Sequence, residues 1–258
     1  MIKMDWIIGG TKDSRDFIKL LSEKNINLKN IILTTVSDYG KKLAEESGAA
    51  VKSGAMNKDE MKIFVSQYNI ERIFDFSHPY ALEVSKNAME TARDTGKKYF
   101  RFERKNLEND CISFDKTDEL IKYLETLKGN ILITLGTNNI HEFKNLKNIE
   151  NIYFRILPVK ISIEKAENAG IKAKNIIGLQ GPFSKEFNTA VYKNYEIKYV
   201  VTKESGDTGG ELEKLQAAYE TGVIPIILKR PKIEYPWVTE NMEEILKIIT
   251  ETEKQERK

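Results

Sequence analysis

Ile2-Lys3-Met4-Asp5-Trp6-Ile7-Ile8-Gly9-Gly10-Thr11-Lys12-Asp13-Ser14-Arg15 sets the architecture. Ile2 to Ile8 is a short, largely apolar run, two glycines interrupt it, and from Asp13 to Glu23 the apolar residues Phe17, Ile18 and Leu21 recur at helical spacing. Strand, glycine turn and helix in that order open a βαβ unit, which joins parallel strands.

The same alternation continues to the end of the chain. Further strands are expected at Ile31–Val36, Ala49–Val51, Arg72–Phe76 and Lys98–Phe102, with helices at Asp13–Glu23, Tyr39–Ser47, Lys58–Tyr68 and Tyr80–Thr95 between them. The polar stretch Asn106-Leu107-Glu108-Asn109-Asp110 breaks the pattern, and Thr117–Leu127 starts a new helix. A second series follows, with strands at Ile131–Leu135, Tyr153–Leu157, Asn175–Leu179, Tyr199–Thr202 and Ile224–Leu228. Its helices are expected at Ile163–Ala169, Lys185–Tyr195, Gly210–Thr221 and Thr239–Thr252. The expectation is an α/β protein of two Rossmann-like domains, doubly wound on mainly parallel sheets, spanning 1–112 and 113–258, with the active site in the cleft between them.

Composition agrees with two cores, because single cores stop growing near about 250–300 residues and this chain has 258. Lys plus Arg at 41 nearly balances Asp plus Glu at 39, which gives no basic footprint for nucleic acid. The first apolar run is too short for a secretory leader, and no later segment approaches the about 20 apolar residues of a membrane helix. A cytoplasmic protein without membrane or obligate protein partner is expected. Cys111 is the lone cysteine, and the two histidines, His78 and His141, stand far apart, so no metal-ligand spacing exists.

Ligands of open parallel sheets bind beyond the carboxyl ends of the strands, where helix N-termini present unpaired N–H groups. Gly9-Gly10-Thr11 is such a turn: either its backbone approaches a cofactor phosphate, or the glycines serve only a tight βα connection, since the full G-x-G-x-x-G fingerprint is absent. Ser37 follows the second strand where a ribose-binding carboxylate often sits, and Thr35, Ser37 and Lys41 leave NADH and NADPH both open. His78, in Asp75-Phe76-Ser77-His78-Pro79-Tyr80, either meets a ligand or caps the next helix. Arg101 and Arg104 leave the fifth strand, one able to pair with Glu103 and the other with an acidic ligand.

In the second half, Leu135-Gly136-Thr137 repeats the glycine and hydroxyl turn, Arg155 closes the next strand, and Gln180-Gly181-Pro182-Phe183-Ser184 follows the third. The fullest local signal is Lys203-Glu204-Ser205-Gly206-Asp207-Thr208-Gly209-Gly210, which joins a strand to a helix and combines a cation, hydroxyls and three glycines. Such a loop can form an anion nest, or it is a flexible polar connection. Arg230 adds a cation after the last strand, so Lys203, Arg155, Arg230 and the earlier arginines together suit a polycarboxylate.

Taken in order, these turns resemble the precorrin-6A reductase family, including its cobalt-precorrin-6A branch. The matching elements are Gly9-Gly10-Thr11-Lys12-Asp13-Ser14-Arg15, Asp75-Phe76-Ser77-His78-Pro79-Tyr80-Ala81, Arg101-Phe102-Glu103-Arg104, Leu135-Gly136-Thr137 and Arg155-Ile156-Leu157-Pro158. They continue with Gln180-Gly181-Pro182-Phe183, Lys203-Glu204-Ser205-Gly206 with Gly209-Gly210, Lys214 with Ala217-Ala218, and Arg230-Pro231. Two positions depart from the family pattern: Asp13 stands where Glu is common, and Lys105 replaces a proline.

The resemblance implies an oxidoreductase of cobalamin biosynthesis that transfers a hydride from NADH or NADPH to C19 of a polycarboxylate tetrapyrrole, reducing the C18–C19 double bond, without flavin or protein-bound metal. Together with the reading of the strand-end turns, this puts Gly9, Gly10, Thr11, Ser37, Gly136 and Thr137 as candidates at the cofactor, and Arg101, Arg104, Arg155, Gln180, Gly181, Ser205, Gly206, Gly209, Gly210 and Arg230 as candidates at the substrate. Lys203 and His78 become the candidates for proton delivery. A short-chain dehydrogenase lacks support because no Tyr-x-x-x-Lys pair occurs, and a non-catalytic two-lobed sensor is distinguished by its indifference to nicotinamide nucleotides.

Overall fold

Trp6 and Ile8 face one side of the first strand and Ile7 the other, and all three are buried, as expected for a central parallel strand covered on both faces. The computed structural model describes residues 3–36, 38–45, 48–206 and 209–256. In it this strand is β1 (Met4–Ile8), followed by α1 (Lys12–Glu23), β2 (Ile31–Thr35), α2 (Asp38–Glu45) and β3 (Ala50–Ser53). Then come α3 (Lys58–Gln67), β4 (Ile70–Asp75), α4 (Leu82–Thr95) and β5 (Lys98–Phe102). The strands pair in parallel in the order β3-β2-β1-β4-β5. The winding direction reverses between β1 and β4, which makes their carboxyl ends the switch point of the sheet.

Alternation along the strands divides the core. Phe17, Ile18 and Leu21 of α1 pack with Ile7 and Phe74 on one face, while Met61 and Phe64 of α3 and Ala88 of α4 pack with Trp6 and Ile73 on the other. Helix starts are capped locally: Thr11 accepts from Ser14 N–H at α1, and Asn57 with Glu60 forms a capping box at α3.

The second series comprises β6 (Ile112–Phe114), α5 (Thr117–Leu124), β7 (Asn130–Ile133), β8 (Ile152–Ile156), α6 (Lys160–Asn168), β9 (Ile176–Gly178), α7 (Lys185–Asn194), β10 (Ile197–Lys203), α8 (Glu211–Thr221) and β11 (Ile224–Leu228). Here too the strands run in parallel, in the order β9-β8-β7-β10-β11. The chain ends with β12 (Val238–Thr239) and α9 (Met242–Glu256).

The sixth strand of each sheet is exchanged. β6 follows β5 in the chain yet pairs with β11, and β12 follows β11 yet pairs with β5, through Val238 opposite Arg101 and Thr239 opposite Phe102. The compact units are therefore 1–104 with 231–258, and 105–230. This corrects the expected division at 112 and 113, because the C-terminal segment belongs with the first sheet. Packing accounts for the difference: Ile245, Leu246 and Ile249 of α9 complete the core around Ile7 and Phe17. In addition Arg72, itself paired with Asp5 at 2.6 Å, donates through Nη1 to the Ile248 carbonyl at 2.7 Å.

Candidate functional site

The β1 turn is built so that one glycine is needed for packing and the next is left open. A Cβ on Gly9 would lie 2.5 Å from Leu33 Cδ1 and 2.9 Å from Ser14 Oγ, so a side chain there collides with β2 and α1. Gly10 has φ +93°, and a Cβ on it would meet nothing within 4 Å. Its exposed backbone thus stands uncovered at the start of α1, where N–H groups and the helix dipole favour an anion. The Thr11 hydroxyl is committed: it donates to the Phe76 carbonyl at 2.8 Å and accepts from Ser14 N–H at 3.2 Å, tying the β1 turn to the β4 turn. Ser37 lies outside the described residues.

At the end of β4, Asp75 is fully buried and accepts hydrogen bonds from Ser77 N–H, Ser85 Oγ and Tyr99 Oη at 2.8, 2.6 and 2.6 Å. Burial pushes its carboxyl pKa up, but the Arg101 guanidinium and these donors outweigh that and hold it below the usual range. Arg101, expected at the ligand, lies inside this network: it pairs with Asp75 at 2.9 Å, donates to Ser77 Oγ at 3.0 Å, and reaches Glu103 at 3.2 Å. Arg104 Nε donates to Asp13 Oδ2 at 2.6 Å, both groups buried. Both arginines are thus engaged by acids of their own unit. His78 is half-buried, and its Nδ1 accepts from Tyr80 N–H at 3.2 Å.

In the second unit the expected residues again fall at strand ends. Gly136 and Thr137 follow β7, and Thr137 Oγ1 lies 3.5 Å from Ser162 Oγ. Gln180 and Gly181 follow β9, with the Phe183 ring folded over Gly181. The Arg155 guanidinium at the end of β8 rests over that ring, 4.7 Å from its centroid, and Nη1 donates to Asn188 Oδ1 at 2.8 Å. Burial lowers the Lys203 pKa.

The loop after β10 is indeed an anion nest, but its occupant is internal. Glu211 Oε2 accepts from the N–H groups of Ser205 and Gly206 at 2.7 and 2.9 Å, and burial raises the Glu211 pKa against those bonds. Gly209 N–H is turned onto the Gly206 carbonyl at 3.1 Å, and Gly210 serves as the N-cap of α8. Asp207 and Thr208 lie outside the described residues. Glu204 takes the backbone N–H of Arg230 at 2.9 Å, and the Arg230 side chain lies 3.7 Å from the same carboxylate.

Two residues absent from the expected site matter here. Glu211 fills the nest, and Lys214 is a buried lysine whose pKa is brought down to about 7, first by burial and next by Arg155. Both sit on the inward stripe of α8 with Leu215 and Ala218. Charged residues at helical spacing within an apolar stripe are the sequence signal that marks them. Among the described residues no group of His, Cys, Asp and Glu is arranged to hold a metal, and no helix is long and apolar enough to cross a membrane.

Comparison with known proteins adds family membership to this geometry. The model of the family described as Precorrin-6x reductase CbiJ/CobK matches residues 6–250. A cobalt-precorrin-6A reductase from Methanocaldococcus jannaschii is 33% identical over 245 residues, covering 94% of this chain and 96% of that protein. Its counterpart from Priestia megaterium is 33% identical over 249 residues, covering 93% and 95%. Among solved structures, CobK precorrin-6A reductase aligns with a TM-score of 0.78 across 96% of this chain and 97% of that one, and at 16% identity this likeness establishes the fold.

Proposed function

Because the chain belongs to the precorrin-6x reductase CbiJ/CobK family, matched across residues 6–250, we propose that it reduces cobalt-precorrin-6A to cobalt-precorrin-6B with NADH or NADPH, in the cytoplasm, as a step of cobalamin biosynthesis. The near full-length family match carries this reading, and the chemistry of the strand ends is compatible with it.

The open Gly10 backbone at the α1 N-terminus suits a dinucleotide pyrophosphate, which needs close approach and N–H donors rather than side chains. Gly136, at φ +75° with nothing within 4 Å of its Cβ position, offers a second open backbone turn beside Thr137, followed by a 3-10 turn at Ile140–Phe143. When bound, the reduced nicotinamide supplies a hydride to C19 of the macrocycle. The chain's own task is to bind, orient and deliver a proton to C18, and holding two large planar partners in register supplies much of the acceleration in such a reaction.

Arg155 is the best placed of the anticipated arginines for a substrate carboxylate, because it rests against a neutral amide and an aromatic ring. Arg101 and Arg104 instead stiffen the β4 and β5 ends through Asp75 and Asp13. For the proton, Lys203 is drawn toward neutrality by burial, which brings an ammonium donor nearer to working pH. His78 is the other candidate, acting through Nε2, because Nδ1 accepts from Tyr80 N–H.

Anaerobic incubation with cobalt-precorrin-6A and each nicotinamide nucleotide tests this reading. A macrocycle two hydrogens heavier is expected with at least one of them. No such product with either overturns it.

A further inference from the structure

Two cations in the second unit are buried. Arg155 at the end of β8 is 8% exposed and Lys214 in the first turns of α8 is 7% exposed. Buried charges are costly unless an opposite charge or a full set of hydrogen bonds compensates them. Arg155 has Asn188 and the Phe183 ring as its contacts, and no carboxylate among the described residues forms an ion pair with it.

The charged and titratable groups facing Lys214 come from four elements. Arg155 is contributed by β8 and Lys203 by β10, and both oppose its positive charge; Glu211 and Glu213, on α8 itself, favour it. Tyr192 of α7 donates from Oη to the Lys214 carbonyl at 3.3 Å and also lies close to Arg155. Neither carboxylate is hydrogen-bonded to the Lys214 ammonium through the oxygens that face inward: Glu211 Oε2 accepts from the nest N–H groups of Ser205 and Gly206, and Glu211 Oε1 and Glu213 Oε2 are buried without a hydrogen-bond partner. The cluster therefore sets the buried Arg155 and Lys214 beside Glu211, which is shared with the nest, and Glu213.

The Arg155 guanidinium and the backbone that carries Lys214 are also held in place. Asn188 and Tyr192 are one turn apart on α7, are buried, and fix the Arg155 guanidinium and the α8 backbone at Lys214 respectively. An arrangement that positions positive charge and leaves it poorly compensated is preorganised for an anion.

We propose that Arg155 and Lys214 form a subsite for an anionic oxygen group of a ligand, either a carboxylate of the macrocycle or a phosphate of the nucleotide. The anion supplies the missing counter-charge, and Lys214 takes up a proton as it binds. The identity of the anion rests on the reductase reading, whereas the subsite rests on the cluster alone.

Lys214→Met keeps the volume of the side chain and removes its charge, and Lys214→Arg keeps the charge. Inorganic phosphate and citrate, compared with chloride at equal ionic strength, are expected to raise the melting temperature of the native enzyme and of Lys214→Arg, but not of Lys214→Met. An equal rise in Lys214→Met overturns the subsite. This measurement needs no turnover, so it reads the subsite even if cobalt-precorrin-6A is not reduced. Calorimetric titration with NADPH, NADH and cobalt-precorrin-6A, in two buffers of unequal ionisation enthalpy, identifies the source of the anion. The ligand that supplies it is expected to bind Lys214→Met about tenfold more weakly and to lose its proton uptake. A loss confined to nucleotides assigns a phosphate, and a loss confined to the macrocycle assigns a carboxylate. Affinities of Lys214→Met within about twofold of native for all three ligands overturn the proposal.

Discussion

Arg101 Nη1 lies 2.9 Å from Asp75 Oδ1 in the interior of the first unit, with the two side chains 1% and 0% exposed. Removing one member of such a pair strands the other, at about 3–5 kcal/mol. Arg101→Met is therefore expected to lose stability of that order at pH 7 in urea unfolding. The loss should shrink in acid. Asp75 has a depressed pKa in the folded protein, so its stabilisation is complete above the ordinary carboxylate range and disappears as pH falls through its folded value. A gap between native and variant that stays constant down to acid pH would falsify this account.

The two glycines of the first turn should separate stability from binding. Gly9→Ala brings a methyl group within 2.5 Å of Leu33 Cδ1, and overpacking of that kind costs about 1–3 kcal/mol. Gly10→Val instead carries backbone strain of about 1–3 kcal/mol at its positive φ and puts bulk where a phosphate is proposed to lie. Fluorescence titration with NADH and NADPH should show affinity about tenfold or more weaker for Gly10→Val. Native affinity in that variant would remove the β1 turn from the cofactor site.

Lys214 makes stability depend on alkaline pH. Its folded pKa of about 7 lies below the ordinary lysine value of 10.5, so between these values the unfolded chain binds more protons than the native one. Native stability should rise as pH climbs through that window, and the burial penalty should be present in full below it. Lys214→Met is expected to be more stable than the native protein at pH 6, with the difference narrowing as pH rises from about 7 toward 10.5, as read by urea midpoints. A difference independent of pH would argue against an uncompensated ammonium.

Proton delivery is tested at Lys203 and His78. Loss of a general acid typically lowers turnover about 100-fold or more, so Lys203→Ala or His78→Ala should reduce kcat with cobalt-precorrin-6A while leaving nucleotide affinity near native. Unchanged turnover in both variants would assign the proton to another group or to water.

The repeated units were legible because their signals are local. β5 and β11 occur at Lys98–Phe102 and Ile224–Leu228, where the apolar runs place them, and the glycine turns do sit at strand ends. β6 and β12 were not legible: they span three and two residues, and long-range pairing with β11 and β5 makes them strands. The same limit applies within the site. Arg104 looks like a free cation in sequence because Asp13, its partner, lies 91 residues away. The nest at Ser205 and Gly206 was visible from its glycines, but the carboxylate filling it was not. Lys214 was visible in principle, since it shares a face with Leu215 and Ala218.

The exchanged strands also impose a timetable on synthesis. Arg101 and Glu103 direct their backbone N–H groups to the Trp237 and Thr239 carbonyls, so these donors have no strand to meet until the whole of the second unit and the residues up to Thr239 have left the ribosome. During that interval the nascent first sheet presents an open edge, the kind of surface on which chains aggregate, and lacks the α9 residues that cover Ile7 and Phe17. A premature stop after Arg230 would spare every residue of the second unit and yet damage the part of the protein that was made first.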